Sequence, residues 1–342
     1  MTVRSDDTLS STPGAPKPGG STAGGSEALA MELEQYRREL TGYCYRMLGS
    51  PFDADDAVQE TMVRAWRSIE SFEGRSSLRS WLYRIATNVC LDMLRSSQRR
   101  ASPMDMGPAS TTDAFTGAAL PDHTWVQPMP DARVLPETSD PAELAASKET
   151  VRLAFVAALQ CLPARQRAVL ILREVLRWQA TEVAELLGTS VASVNSALQR
   201  ARATMSARDA DALVADVTVD AEQRELLARY VDAFERYDIT SLVSLLHEDA
   251  VMTMPPYDFW LRGPAEMARF FTGPGSKCRD SRLLATTANG CAAFASYHPD
   301  GQGGRGPWAL QVIEISGDKI IGHHNFIEPS LFAAFGFPAR LP

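Results

Sequence analysis

The chain has 342 residues, a net charge of −8 and 45% hydrophobic residues, enough for two or three domains that each bury a core. No run approaches the ~18–20 uninterrupted apolar residues of a membrane-spanning helix, so a helical membrane protein is excluded. The five cysteines (Cys44, Cys90, Cys161, Cys278, Cys291) are scattered and never at metal-ligand spacing, which points to free thiols in a reducing cytoplasm and to no metal or other cofactor.

Residues 1–30 are rich in Gly, Ser, Thr and Pro and lack the charged-then-apolar order of a secretory signal, so they read as a disordered leader, with Met31 as an alternative start. Residues 32–100 read as helical, with Val58, Met62, Ala65 and Ile69 at helical spacing. Seven prolines and little periodicity over residues 101–141 predict a linker. Helices resume over 143–162, 164–175, 181–187 and 191–206. Two more amphipathic helices, 222–237 and 239–247, precede a change of texture. There Trp308, Leu310 and Val312 alternate with Ala309, Gln311 and Ile313, as a half-buried strand should. Asn289-Gly290 reads as a type I′ hairpin turn, and Gly317-Asp318 plays a similar part. Helices first and strands after predict an α+β domain with helices on one curved sheet.

Charge is segregated. Residues 64–100 carry eight Arg against three acids, and so do residues 151–208, whereas residues 101–140 carry six acids and one Arg. Two basic modules joined by an acidic tether suit a nucleic-acid partner better than the net charge suggests.

In the second module a short helix, Gly188 and a longer helix form a helix-turn-helix pattern. Thr189 or Ser190 is a suitable N-cap. Val191, Val194, Leu198, Ala201 and Met205 share the face to be buried. Ala192, Ser193, Ser196, Gln199 and Arg200 lie opposite, with Asn195 and Arg202 on the shoulders. Small residues permit close approach to base edges, and Ser, Asn, Gln and Arg can bond those edges or phosphates. The same pattern also fits an ordinary surface helix of an all-α bundle. In the first module, three carboxylates from Asp53 onward open a helix, where they complement its dipole. A Gly-containing loop then runs into a helix bearing Trp81, Tyr83 and several Arg, a combination suited to unstacked bases. Trp66, Trp81 and Tyr83 could equally be core.

The segments DADDAVQETMVRAW and FEGRSSLRSWLYRIATNVCLDMLR resemble region 2 of the extracytoplasmic-function (ECF) sigma factors of the sigma-70 family. LPARQRAVLILREVLRWQATEVAELLGTSVASVNSALQRARATM resembles region 4. The resemblance implies a factor that directs core RNA polymerase to promoter DNA. Asp53, Asp56, Gln59 and Glu60 would dock on the β′ clamp helices. Glu73, Arg75, Ser76, Ser77 and Arg79, with Arg84, Asn88 and Arg95 on the following helix, would hold the −10 element. Ser190, Ala192, Ser193, Asn195, Ser196, Gln199, Arg200 and Arg202 would read the −35 element, with region 4 also touching the β flap. The linker resembles the segment that threads the polymerase RNA path. Asn195 and Ala197 depart from the basic residues common in the family, which implies fewer phosphate contacts.

YVDAFERYDITSLVSLLHEDAVMTMPPYDFWLRGPAEMARFF and the closing HHNFIEPSLFAAFGFPARLP resemble the SnoaL-like domain, a cone of helices and curved sheet found fused to sigma factors of the sigma-G or sigma-J type. The implied organisation is multidomain. A leader (1–30) precedes all-α region 2 (31–100), an acidic linker (101–141) and all-α region 4 (142–208). A short linker (209–220) leads to an α+β SnoaL-like cone (221–342) that modulates the factor in cis. Tyr257, Asp258, Trp260 and His324, with His323 nearby, are candidates for a pocket taking a small ligand or an intramolecular contact. No carboxylate pair or nucleophile motif stands out, so no catalytic residue is expected. A helix-turn-helix regulator independent of polymerase, with a ligand-sensing C-terminal domain, and a DNA-tethered enzyme are the alternative classes.

Overall fold

The computed structural model of the chain describes residues 31–69, 72, 76–96, 99–207, 215–216 and 220–342. Residues 31–34 are helical, and residues 36–342 form one compact unit. Among the described residues no helix is long and apolar enough to cross a membrane, and no His/Cys/Asp/Glu group could hold a metal ion.

Three helices, α1 (Arg37–Leu48), α2 (Pro51–Ser68) and α3 (Leu78–Ser96), pack around Tyr43, Met47, Val58, Leu82 and Ala86. Gly49 adopts φ 76° to end α1, and the Ser50 hydroxyl then caps α2 by accepting from the Asp53 N–H, with Pro51 in the first turn.

Residues 101–140 do not run as a loose tether. Short 3₁₀ turns at Pro103–Asp105, Thr112–Ala114 and Asp122–Thr124 alternate with extended backbone that bonds to the C-terminal domain. The Ser110 N–H donates to the Trp260 carbonyl (2.8 Å) and the Leu120 N–H to the Pro256 carbonyl (2.8 Å). Phe115 packs its ring against Tyr257, Phe259 and Phe270. The acids are largely engaged within the chain: Asp113 pairs with Arg269 (2.7 Å) and Glu137 with Arg38 (2.5 Å). Asp105 caps a turn at Ser102, Asp131 accepts from the Gly290 N–H, and Asp140 caps the next helix.

The single helix expected over 143–162 is two, α4 (Pro141–Glu149) and α5 (Leu153–Gln160). Arg152 leaves the helical region at φ −52°, ψ 143°, and this frees carbonyls for long-range partners. Arg46 Nε donates to the Thr150 carbonyl at 3.0 Å and Asn289 Nδ2 to the Val151 carbonyl at 2.5 Å. Tertiary bonding here outweighs helical propensity. Helix α6 (Ala164–Leu170) widens into a π turn, Ile171–Val175. Helices α7 (Ala180–Leu187) and α8 (Val191–Ser206) complete the all-α part.

The C-terminal domain opens with α9 (Ala221–Glu235) and α10 (Ile239–Ser244). The second was expected to reach 247, but Leu246 already pairs with Ile320 as the first residue of β1 (Leu246–Thr253). Then follow β2 (Trp260–Arg262), α11 (Pro264–Thr272), β3 (Arg282–Ala288), β4 (Cys291–Pro299), β5 (Arg305–Ser316), β6 (Lys319–Phe326) and α12 (Ser330–Ala334). The sheet runs β2-β1-β6-β5-β4-β3, antiparallel except between β1 and β6. Its inner face meets the helices over a core containing Tyr230, Phe234, Met252, Phe270, Phe294 and Ile313. The half-buried reading of residues 308–313 is corrected. Ala309, Leu310, Gln311, Val312 and Ile313 are all buried, because both faces of β5 are covered. The turns form as expected: Asn289 (φ 54°) and Gly290 (φ 75°) link β3 to β4 in the left-handed region that type I′ requires, and Gly317 (φ 57°) turns β5 into β6.

Candidate nucleic-acid interface

Helices α7 and α8 form the predicted helix-turn-helix. A capping box between Gln179 and Glu182 starts α7, and Gly188 (φ 60°) closes it with left-handed backbone. Ser190 is the N-cap of α8, its hydroxyl accepting from the Ser193 N–H at 3.1 Å. Val194, Leu198 and Ala201 are buried as expected and Met205 is half-buried, but Val191 is 38% exposed, since the first turn of α8 projects past the core. Ser190, Ala192, Ser193, Asn195, Ser196, Gln199, Arg200 and Arg202 are all exposed on one surface. Arg200 donates back to Ser196 Oγ (2.6 Å), and Arg202 pairs with Glu174 (2.6 Å). Such exposed pairs exchange readily with other partners.

On the first module, Asp56, Gln59 and Glu60 are exposed along α2. Asp53 is turned inward to Arg100, which reaches its Oδ2 at 2.7 Å and 3.2 Å while donating to the Trp125 carbonyl. Trp66 is 58% exposed, Trp81 packs half-buried against Phe72, and Tyr83 is buried. Glu73 and Arg75 lie outside the described residues. Ser76 is half-buried; Ser77, Asn88 and Arg95 are exposed. Arg95 pairs with Asp92 at 3.0 Å.

Arg79 and Arg84 are occupied. Arg79 bonds to Glu39 and lies over the rings of Tyr83 (5.4 Å) and Trp178 (5.3 Å). Tyr83 and Trp178 are themselves 5.0 Å apart. Arg84 reaches Glu185 of α7 at 3.4 Å. Two arginines of α3 thus lean on Trp178 and α7 while staying partly exposed, and Asn88 and Arg95 on the same helix face solvent. Sequence reasoning missed Trp178 and Glu185, whose partners are about a hundred residues away in the chain. It also missed Arg64 and Arg67, which with Asn88 line an open depression of about 380 Å³ between α2 and α3. Their helical register opposite Asn88 is the signal that could have found them.

The four candidate pocket residues do not converge. Tyr257 faces Phe115, and Asp258 is exposed. Trp260 donates from Nε1 to the Gly107 carbonyl at 3.0 Å and carries Arg262 over its ring. His324 lies on the outer face of the sheet, 3.3 Å from Glu314. His323 points to the inner face, where Tyr230 hydroxyl is 2.9 Å from its Nε2.

The sigma-70 region 2 profile matches residues 33–100, the sigma-70 region 4 profile residues 152–205 and the SnoaL-like domain profile residues 227–323. The chain is 44% identical over 313 residues to the ECF RNA polymerase sigma factor SigG of Mycobacterium tuberculosis, covering 90% of this chain and 83% of that one. To SigJ of the same species it is 30% identical over 248 residues, 71% of this chain and 72% of the relative. The crystal structure of SigJ superposes with a TM-score of 0.57 at 23% identity, over 90% of this chain and 99% of that one, and so shares the fold.

Proposed function

The chain belongs to the ECF RNA polymerase sigma factors, and from that premise we propose how its parts divide the work. It is an alternative sigma factor with a C-terminal SnoaL-like domain, a role that is not itself catalytic. Asp56, Gln59 and Glu60 dock core polymerase, with Asp53 joining them once Arg100 lets go. Region 2 holds the −10 element with Glu73, Arg75, Ser76, Ser77, Arg79, Arg84, Asn88 and Arg95, and region 4 reads the −35 element through the exposed face of α8. Capture of flipped bases offsets the cost of unstacking them, so strand opening needs no nucleotide hydrolysis.

The C-terminal domain holds the factor in a closed state. One observation carries this reading: the hairpin tip at Asn289, wholly buried, bonds to Tyr45 of region 2, Met129 of the connecting segment and Val151 at the start of region 4. A domain gripping both promoter-reading modules favours the arrangement in which Arg79 and Arg84 face Trp178 and Glu185 instead of DNA. The two modules must separate to read two promoter elements at once, so closure opposes initiation.

The test is run-off transcription with core polymerase, comparing the full chain with a truncation after Arg208. Core-dependent initiation that rises on truncation supports the reading. Equal activity of the two forms removes the cis control. Duplex binding without any initiation would instead favour a regulator independent of polymerase.

A further inference from the structure

The outer face of the sheet carries a cavity of about 430 Å³, roofed by α5 and by the segment around Met104 and Val126. This is on the side opposite the cone interior, which Tyr230, Phe234, Phe270 and Phe294 fill. The volume falls within the ~300–1,000 Å³ of small-molecule sites. Its wall is mostly apolar, with Met104, Val126, Leu153, Val251 and Phe326 contributing. Its floor is polar. His324 is 6% exposed, with Nε2 3.3 Å from Glu314 Oε2 and Nδ1 3.0 Å from Thr253 Oγ1. Gly322 leaves room for this cluster, since a Cβ there would sit 2.8 Å from both Glu314 Oε2 and His324 Nε2. Arg262 and Asp249 are exposed at the rim.

Burial raises the Glu314 carboxyl pKa, but the hydrogen bond and charge of His324, with Arg152 nearby, outweigh it and hold the group below its ordinary range. A carboxylate at the base of an apolar cavity is costly unless hydrogen-bonded. Its remaining capacity suits an incoming donor.

We propose that this cavity is a binding site for a small hydrophobic molecule bearing a hydroxyl or amino group, the apolar body against Leu153, Val251 and Phe326 and the donor on Glu314. Its walls come from the sheet, from the connecting segment and from region 4, so a bound ligand stabilises their packing by mass action. The binding site stands on the cavity; the consequence for transcription rests on the closed-state reading above.

The experiment titrates the full chain with 2-naphthol and with 2-methylnaphthalene, which lacks the donor, by ligand-observed NMR and thermal melting. Expected are binding of 2-naphthol with a rise in melting temperature, and loss of binding of both probes in Ala154→Trp, where an exposed helical position is used to fill the cavity without threatening the fold. Glu314→Gln should weaken 2-naphthol about tenfold, the size of a hydrogen bond to a charged group, and leave 2-methylnaphthalene unchanged. Binding of neither probe up to its solubility, or 2-naphthol binding unaltered in Ala154→Trp, overturns the site. Equal weakening of both probes in Glu314→Gln overturns the assigned donor. Cavity-dependent binding that leaves run-off transcription unchanged keeps the site and sinks the closed-state reading instead.

Discussion

Asn289 donates from its side-chain amide to the Tyr45 hydroxyl at 2.7 Å, joining positions 244 residues apart. The Tyr45 hydroxyl passes the network on to the Gln127 carbonyl at 2.9 Å, and Asn289 Oδ1 accepts from the Met129 N–H at 2.8 Å. Gly290 packs so close to Lys148 that a Cβ would lie 3.0 Å from the lysine's own. The turn is thus a small plug seated among three segments, with its polar groups satisfied by all of them.

Asn289→Gly keeps the left-handed turn geometry and removes only the side-chain bonds. It leaves the Val151 carbonyl and the Met129 N–H short of partners, at a cost of about 1–3 kcal/mol for each buried group. The expected outcome is a lower melting temperature together with higher run-off transcription. A lower melting temperature with unchanged transcription would show that the plug serves stability alone.

The Arg84–Glu185 pair separates two roles of one arginine. It is largely exposed, so breaking it should cost less than about 1 kcal/mol. Glu185→Gln should leave transcription equal or raised, because it frees Arg84. On the proposed −10 role of Arg84, Arg84→Ala should lower transcription at every salt concentration, by removing that contact. Equal effects from both substitutions would mean that the pair acts only as a structural link.

How far these features were legible depends on the range of the interaction. The inner face of α8 was readable because Val194, Leu198 and Ala201 repeat at helical spacing. Ser190 and Gly188 announced its start and the preceding stop by local backbone chemistry. Asn289-Gly290 announced a turn, but nothing local says that a turn is to be buried against Tyr45. The break at residues 150–152 was hidden for the same reason, as its carbonyls are claimed by Arg46 and Asn289 from elsewhere in the chain. Strand parity separates His323 from the candidate pocket residue His324. Adjacent residues face opposite sides of a sheet, so His323 and His324 could not share one cavity. Regions 2 and 4 were recognisable by motif, whereas the contacts of Arg79 and Arg84 with Trp178 and Glu185 were not.

Region 4 offers a test by salt. The Arg200 guanidinium bonds to Ser196 on its own helix, and Arg202 is held by Glu174. If each contacts a phosphate, Arg200→Ala should reduce the slope of log affinity against log salt for −35 duplex by about 1, uniformly across sequences. Glu174→Gln should strengthen binding by releasing Arg202. Binding insensitive to both changes, measured by fluorescence anisotropy over a salt series, would move the contact surface away from α8.

Acid should loosen the C-terminal domain through His323. Its ring is enclosed by Tyr230, Phe234 and Phe271, with Asn325 within 3.5 Å and His324 beside it in sequence. Burial first, and the charge of His324 second, lower its pKa from 6.5 to about 3. A base whose pKa is depressed by folding stabilises the fold fully above its unfolded value and loses that stabilisation as pH falls. The window therefore opens near 6.5 and closes near 3. Each pH unit within it removes about 1.4 kcal/mol, so pH 5 should cost about 2 kcal/mol relative to pH 7. His298, lowered to about 4 by burial and by Arg305, acts with the same sign. The expected result is a melting temperature that falls from pH 7 to pH 5, with a shallower fall in His323→Asn, which keeps a polar partner for Tyr230 but cannot take the proton. Identical pH profiles for the two proteins would assign the acid sensitivity elsewhere, His298 being the next substitution to make.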